Sequence, residues 1–140
     1  MIANTFGRPL TPAQLNDTML RRGGFIDVNL TKWNALTAVY TDIIYGGKMD
    51  NPGPPIINHI DASLAEGRPV AVQVDFTSDT PYTDNDQHWV LIMGKAGDDY
   101  RINDPWLLPA QEASLKQRYG RAGRPLWETI LSAIFTAPPK

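Results

Sequence analysis

The sequence predicts an α+β fold, with N-terminal helices packed on a C-terminal antiparallel β-sheet, and three observations carry that expectation. Helix-start signals followed by apolar residues at helical spacing are confined to the first half of the chain. From Val70 onward the apolar period drops to two, as in a strand. The turn-forming run Lys95-Ala96-Gly97-Asp98-Asp99 then joins two apolar segments as a β-hairpin. Helices followed by a run of strands, with no internal repeat, argue against an alternating parallel sheet.

The elements follow in order. Thr11-Pro12-Ala13-Gln14 combines a capping threonine, a proline in the first helical turn and a glutamine three residues after the cap. A helix is predicted from Pro12 to about Arg22, closed by Gly23-Gly24, with Arg21 and Arg22 at its negative end. Met1 to Phe6 reads as the tail of a longer helix, stopped by Gly7 and Pro9. Phe25 to Leu30 is extended, and Thr31 caps a second helix through Leu36, Val39 and Tyr40. The stretch from Gly46 to Pro55, rich in glycine and proline, reads as a loop. Pro54-Pro55 launches a third helix with Ile56, Ile57, Ile60 and Leu64 on one side, and Gly67 closes it. Val70, Val72, Val74 and Phe76 mark a half-buried strand, and a polar loop from Thr77 to Gln87 follows. His88 to Met93 is almost continuously apolar, as in a strand covered on both faces, and Tyr100 to Asp104 returns beside it. Leu107 to Tyr119 has room for a short helix, residues 120–125 form a loop, and the period of Leu126 to Thr136 fits strand or helix equally.

Composition sets the bounds. The 140 residues carry 13 Lys plus Arg against 15 Asp plus Glu, a net charge of −2, which excludes a generic phosphate-backbone binder and makes nucleic acid an unexpected partner. At 42% hydrophobic residues there is apolar surface for one core, so a single domain over 1–140 is expected. The absence of Cys excludes a disulfide framework, a thiolate zinc site and a cysteine nucleophile within these residues. No apolar run approaches the roughly 20 residues of a membrane span, and Met1-Ile2-Ala3-Asn4 lacks the basic start of a signal peptide. The chain reads as soluble, with its compartment open.

One constellation has chemical potential. His88 opens a hairpin strand and Asp104 closes the next, so a turn centred near Ala96 or Gly97 sets them directly or diagonally opposite on one face. A carboxylate holding one imidazole nitrogen leaves the other free to take a proton from a nucleophile. Other features read as structural. His59 is a surface histidine without a second ligand at metal spacing, and the acidic Asp79, Asp84, Asn85 and Asp86 lack the order of a calcium loop, so no metal or cofactor is expected. Asn29-Leu30-Thr31 fits a glycosylation triplet, although Thr31 serves more simply as a helix cap. Trp33, Trp89, Trp106 and Trp127 suit a core or a pocket wall, and Lys116, Arg118, Arg121 and Arg124 suit a solvated face. Ser63, Ser78, Ser114 and Ser132 show no nucleophile elbow. Thr5 is likewise not expected to serve.

Three runs also carry a resemblance: Gly67-Arg68-Pro69-Val70-Ala71-Val72-Gln73-Val74, then Gln87-His88-Trp89-Val90-Leu91-Ile92-Met93-Gly94, then Tyr100-Arg101-Ile102-Asn103-Asp104-Pro105-Trp106. Their order and spacing resemble the papain-like cysteine peptidases grouped with the bacteriocin-leader (double-glycine) processing peptidases. Gly7 to Asn16, Gly23-Gly24-Phe25 and Asn29-Leu30 resemble the segment after the nucleophile helix, so the likeness covers nearly the whole chain. It implies a papain-like fold and hydrolysis of peptide or amide bonds. His88 matches the general base and Asp104 the residue that orients it, while Gln87, Trp89 and Trp106 match the substrate-binding wall. The family's nucleophile is a Cys on the first helix, preceded by an oxyanion-stabilising Gln, and Met1 to Phe6 resembles only the second half of that helix. Either the chain begins past the nucleophile or the domain has dispensed with it. In the second case it is a papain-like module that binds a peptide, protein or cell-wall ligand, or builds a cell-surface or phage assembly.

Overall fold

A computed structural model of the chain describes residues 11–26, 30–32, 35, 44–76, 88–107 and 113–137. The architecture is mixed helix and antiparallel sheet, in agreement with the α+β expectation. Two compact units can be described, Met1–Gly47 with Thr136–Lys140 and Lys48–Phe135.

In the first unit, α1 (Pro12–Arg21) begins where its capping signals place it. The Gln14 amide donates to Thr11 Oγ1 at 3.2 Å, and the Thr11 amide donates to Gln14 Oε1 at 2.9 Å, so two otherwise orphaned donors are satisfied reciprocally. Beyond it, β1 (Phe25–Ile26) pairs antiparallel with β2 (Leu30–Thr31). Thr31 is therefore a strand residue and not the expected helix cap, because its backbone is committed to pairing with Phe25. The rest of the helix expected through Leu36, Val39 and Tyr40 lies outside the described residues, as do Met1 to Phe6, Asn29 and Trp33.

A six-stranded sheet is built from β3 (Ile44–Asp50), β4 (Val70–Val74), β5 (His88–Ala96), β6 (Asp99–Asn103), β7 (Ala113–Ser114) and β8 (Ile130–Ala137). Its order is β3-β8-β4-β5-β6-β7. Gly46 to Asp50, expected in a loop, belongs to the edge strand β3, where pairing with β8 supplies what local propensity does not and where glycine is tolerated. Helix α2 (Pro55–Ala65) follows the paired prolines and buries Ile56 and Ile60 completely against Val70, Val72, Val90 and Ile92. Strand β4 was expected to be half-buried, yet all five of its residues are buried, because it lies between β8 and β5 and is covered on both faces. Its polar residue Gln73 accepts a hydrogen bond from Ser132 Oγ at 2.8 Å.

The ambiguous C-terminal segment resolves into a short 3-10 turn, Leu126–Thr129, and strand β8. Before it, α3 (Leu115–Tyr119) starts at Ser114, whose hydroxyl accepts from the Gln117 amide at 3.0 Å. Leu115 and Tyr119, one turn apart, bury the same face of this helix. The chain leaves it through Gly120, where any Cβ would stand 2.4 Å from the Lys116 carbonyl oxygen, so no larger residue fits without moving the backbone. The solvated face expected of the basic residues of this region holds for Lys116 and Arg118, which are exposed, whereas Arg121 and Arg124 are half-buried. Lys116 pairs with Asp98 and Arg118 with Asp104, while Arg121 and Arg124 both reach the buried Asp75.

Candidate functional site

The hairpin of β5 and β6 brings His88 and Asp104 together, and a bulge makes that possible. Around the turn at Gly97, whose φ of 65° suits glycine, Ala96 faces Asp99, Lys95 faces Tyr100 and Gly94 faces Arg101. Carried on unchanged, this register would set Asp104 opposite Leu91, which lies on the other face of the sheet from His88. Met93 interrupts it as an extra residue on β5: beyond it Ile92 faces Ile102 and Leu91 faces Asn103. Asp104 then falls opposite Val90, on the face that His88 shares.

Asp104 is held by its own local sequence. Asp-Pro-Trp forms a turn in which the Trp106 amide donates to Asp104 Oδ1 at 3.0 Å and the Leu107 amide donates to the Asp104 carbonyl at 3.0 Å. His88 Nε2 lies 2.9 Å from the same Oδ1. The other oxygen, Oδ2, accepts the Tyr119 hydroxyl and, at 3.3 Å, Arg118 Nη2. Both partners of the His88–Asp104 pair are buried, at 4% and 2% exposure.

Aromatic rings cover the imidazole. The turn lays Trp106 flat on His88, with ring centroids 3.3 Å apart and planes 13° from parallel. Phe76, just beyond the end of β4, stands edge-on to His88 at 6.1 Å and to Trp106 at 5.2 Å. It is there because Val74 is the register partner of His88. Trp106 and Phe76 are themselves 58% and 42% exposed, so the imidazole lies under an aromatic surface that faces solvent.

The electrostatics decide the protonation state. Burial pushes the Asp104 carboxyl up, but the hydrogen bonds from Tyr119, the Trp106 amide and His88 together hold it below the usual carboxylate range. Burial pushes His88 down, Asp104 opposes this, and Arg118 adds to the depression. At neutral pH the pair is thus a carboxylate and a neutral imidazole. Because an ionised carboxylate only accepts, the proton sits on Nε2, and Nδ1 keeps its lone pair. Nδ1 has no hydrogen-bond partner among the described residues. An imidazole in this tautomer, braced through Nε2, is arranged to take a proton at Nδ1.

A pH dependence of stability follows. A native His88 that protonates less readily than the unfolded one leaves the unfolded state with more bound protons below about pH 6.5, so stability falls as pH drops through that point. The depressed Asp104 adds a second loss below about pH 4, where unfolded carboxylates protonate first. Urea unfolding between pH 8 and pH 3 is expected to show both limbs, and His88→Gln is expected to remove the upper one. Stability that rises from pH 7 to pH 5.5 is incompatible with this arrangement.

Of the predicted site residues, the structure brings together His88, Asp104 and Trp106. Trp89, expected in the same wall, faces the opposite side of the sheet: it follows His88 in an alternating strand and is paired with Gln73. Gln87 lies outside the described residues, as does the acidic loop before it. Phe76, Arg118 and Tyr119 complete the site without having been anticipated there. A signal for Tyr119 existed in the sequence, since Ser114 caps a turn that sets Leu115 and Tyr119 on one buried face. Three serines are engaged structurally: Ser63 Oγ donates to the Arg68 carbonyl, Ser114 caps α3 and Ser132 binds Gln73. His59 is exposed, at the edge of Phe135. Among the described residues no cluster of His, Asp or Glu stands at metal-binding spacing, and no helix is long and apolar enough to cross a membrane. A separate apolar groove of about 480 Å³ lies at the turn end of the hairpin, lined by Ile57, Tyr100, Leu126 and Trp127. Its rim charges are already paired, Lys95 with Asp61 and Asp98 with Lys116.

The fold thus defines an α+β protein whose sheet presents a buried imidazole–carboxylate pair beneath exposed aromatic rings. Comparison of the chain with family models, with curated proteins and with solved structures finds no match.

Proposed function

We propose that this chain carries the base-bearing half of a papain-like thiol peptidase site, acting on peptide or amide bonds of a peptide or protein substrate. The observation that carries the reading is the buried His88–Asp104 pair, closed at 2.9 Å on Nε2, with no hydrogen bond to Nδ1 among the described residues. In such a site His88 takes the proton of a thiol, the thiolate attacks the carbonyl carbon, and the imidazolium returns the proton to the leaving amine. Asp104 holds the ring and stabilises its charged form. The 140 residues contain no Cys, so the thiol has to belong to polypeptide outside them, and these residues alone hydrolyse nothing by this route.

The same lack of Cys favours a second reading, a non-catalytic papain-like module that binds a ligand or builds a larger assembly, for example at a cell surface or in a phage. The two readings part at the thiol. The polypeptide from its native source is weighed intact against 15.6 kDa and treated with iodoacetamide across pH 5–9. The peptidase reading expects a heavier chain with one Cys that alkylates at pH 6 at least about tenfold faster than a free thiol of pKa about 8.5. It also expects His88→Ala to return that rate to the free-thiol level. A native chain without Cys, or a Cys that follows the free-thiol profile, overturns the peptidase and leaves the binding module.

A further inference from the structure

Asp104 has two oxygens with separate duties. Oδ1 faces His88 and the Trp106 amide, while Oδ2 is turned to α3, where the Tyr119 hydroxyl and the Arg118 guanidinium meet it. Tyr119 is buried at 7% exposure, and its ring lies 5.9 Å from that of His88. Arg118 stands over the Tyr119 ring at 5.6 Å, and its side chain is 35% exposed. Each hydrogen bond into Oδ2 draws carboxylate charge away from Oδ1, and with it the attraction that Oδ1 exerts on an imidazolium.

We infer that Tyr119 is a positioning residue for His88: by donating to the far oxygen of Asp104, with Arg118 beside it, it limits the pull of the carboxylate and keeps the imidazole a free base at neutral pH. The inference rests on the reading of His88 as a base, and it adds a regulator of that base supplied by α3. A carboxylate bonded only to the imidazole holds the charged ring strongly, and the base stays protonated. Shared with a phenol and a guanidinium, the carboxylate still orients the ring but releases its proton at a lower pH. Among the described residues, the charged and titratable groups facing His88 are Asp104, Arg118 and Tyr119; the nearby Asp75, at the end of β4, is engaged by Arg121 and Arg124.

The test is an NMR titration of His88 in the whole chain, followed through the imidazole carbon and nitrogen shifts. Tyr119→Phe keeps the ring and removes only the donor. It is expected to raise the His88 midpoint by about 0.5 to 1 pH unit, a three- to tenfold gain in proton affinity. Arg118→Gln is expected to raise it by about half as much, because the partly exposed guanidinium is screened, and Arg118→Lys, which keeps the charge, is expected to reverse part of that rise. A His88 midpoint that stays put or falls in a folded Tyr119→Phe protein overturns the inference. Should that variant fail to fold, an unmoved midpoint in Arg118→Gln does so. No thiol enters this measurement, so failure of the alkylation test leaves it standing, and failure of the titration leaves the peptidase reading untouched.

Discussion

Replacing Asp104 by alanine is expected to cost about 2–6 kcal/mol of stability, about 1–3 kcal/mol for each of the two buried donors, the imidazole and the phenol, left unsatisfied. The carboxylate is 2% exposed and accepts from His88, Tyr119, Arg118 and the Trp106 amide. Alanine leaves a buried imidazole and a buried phenol without their acceptor, whereas Arg118 can swing to water. Asparagine, of the same shape and with one carbonyl oxygen remaining, is expected to cost only about 1–3 kcal/mol. Urea denaturation reads the difference as a shift in midpoint at unchanged slope. A loss under about 1 kcal/mol in Asp104→Ala would show that the four donors repay no more than the carboxylate's own desolvation.

The second large effect is expected at Asp75. This residue is 1% exposed and binds Arg121 through Oδ1 at 3.3 Å and Arg124 through Oδ2 at 3.0 Å. Its amide also donates to the Thr129 carbonyl at 2.9 Å, which continues the attachment of β4 beyond its last sheet residue. Asp75→Ala is expected to lose about 3–5 kcal/mol, because Arg121 loses its counter-charge and Arg124 keeps only Glu128, at 3.1 Å. Arg124→Ala is expected to lose less, since Arg121 remains on the carboxylate and Arg124 is already partly exposed. The neighbour of Asp75 in the chain is Phe76, which rests against both His88 and Trp106. Loosening this clamp is therefore expected to change Trp106 fluorescence as well as stability. Equal losses for Asp75→Ala and Arg124→Ala would show that the pair with Arg121 contributes nothing.

Much of the second unit was legible because its signals are local. Consecutive prolines before Ile56, the alternation from Val70 and the turn at Gly97 each act within a few residues, and the corresponding elements occur where those signals lie. Composition misled at Gly46 to Asp50, because a glycine-rich segment has low intrinsic strand preference but becomes a strand once β8 offers its backbone. The pairing of the basic residues from Lys116 onward was missed for a related reason. Their acidic partners Asp75, Asp98 and Asp104 belong to other elements, and no sequence window contains both sides of these pairs.

The site divides along the same line. The sequence by itself determined that an imidazole and a carboxylate stand at the open end of one hairpin. The turn read from the sequence, centred near Ala96 or Gly97, sets the two on one face, but the two-residue turn that forms at Gly97-Asp98 would alone place them on opposite sides of the sheet. The extra residue at Met93 reverses that parity. The same strand alternation sends Trp89 away from the site that His88 occupies. Only the tertiary structure brings Phe76 and Tyr119 to the imidazole and carboxylate, from the end of one strand and from a helix of five residues. The physical reason is that turns and caps are short-range backbone preferences, whereas strand register and the partners of a buried charge are settled by which distant segments exclude water together.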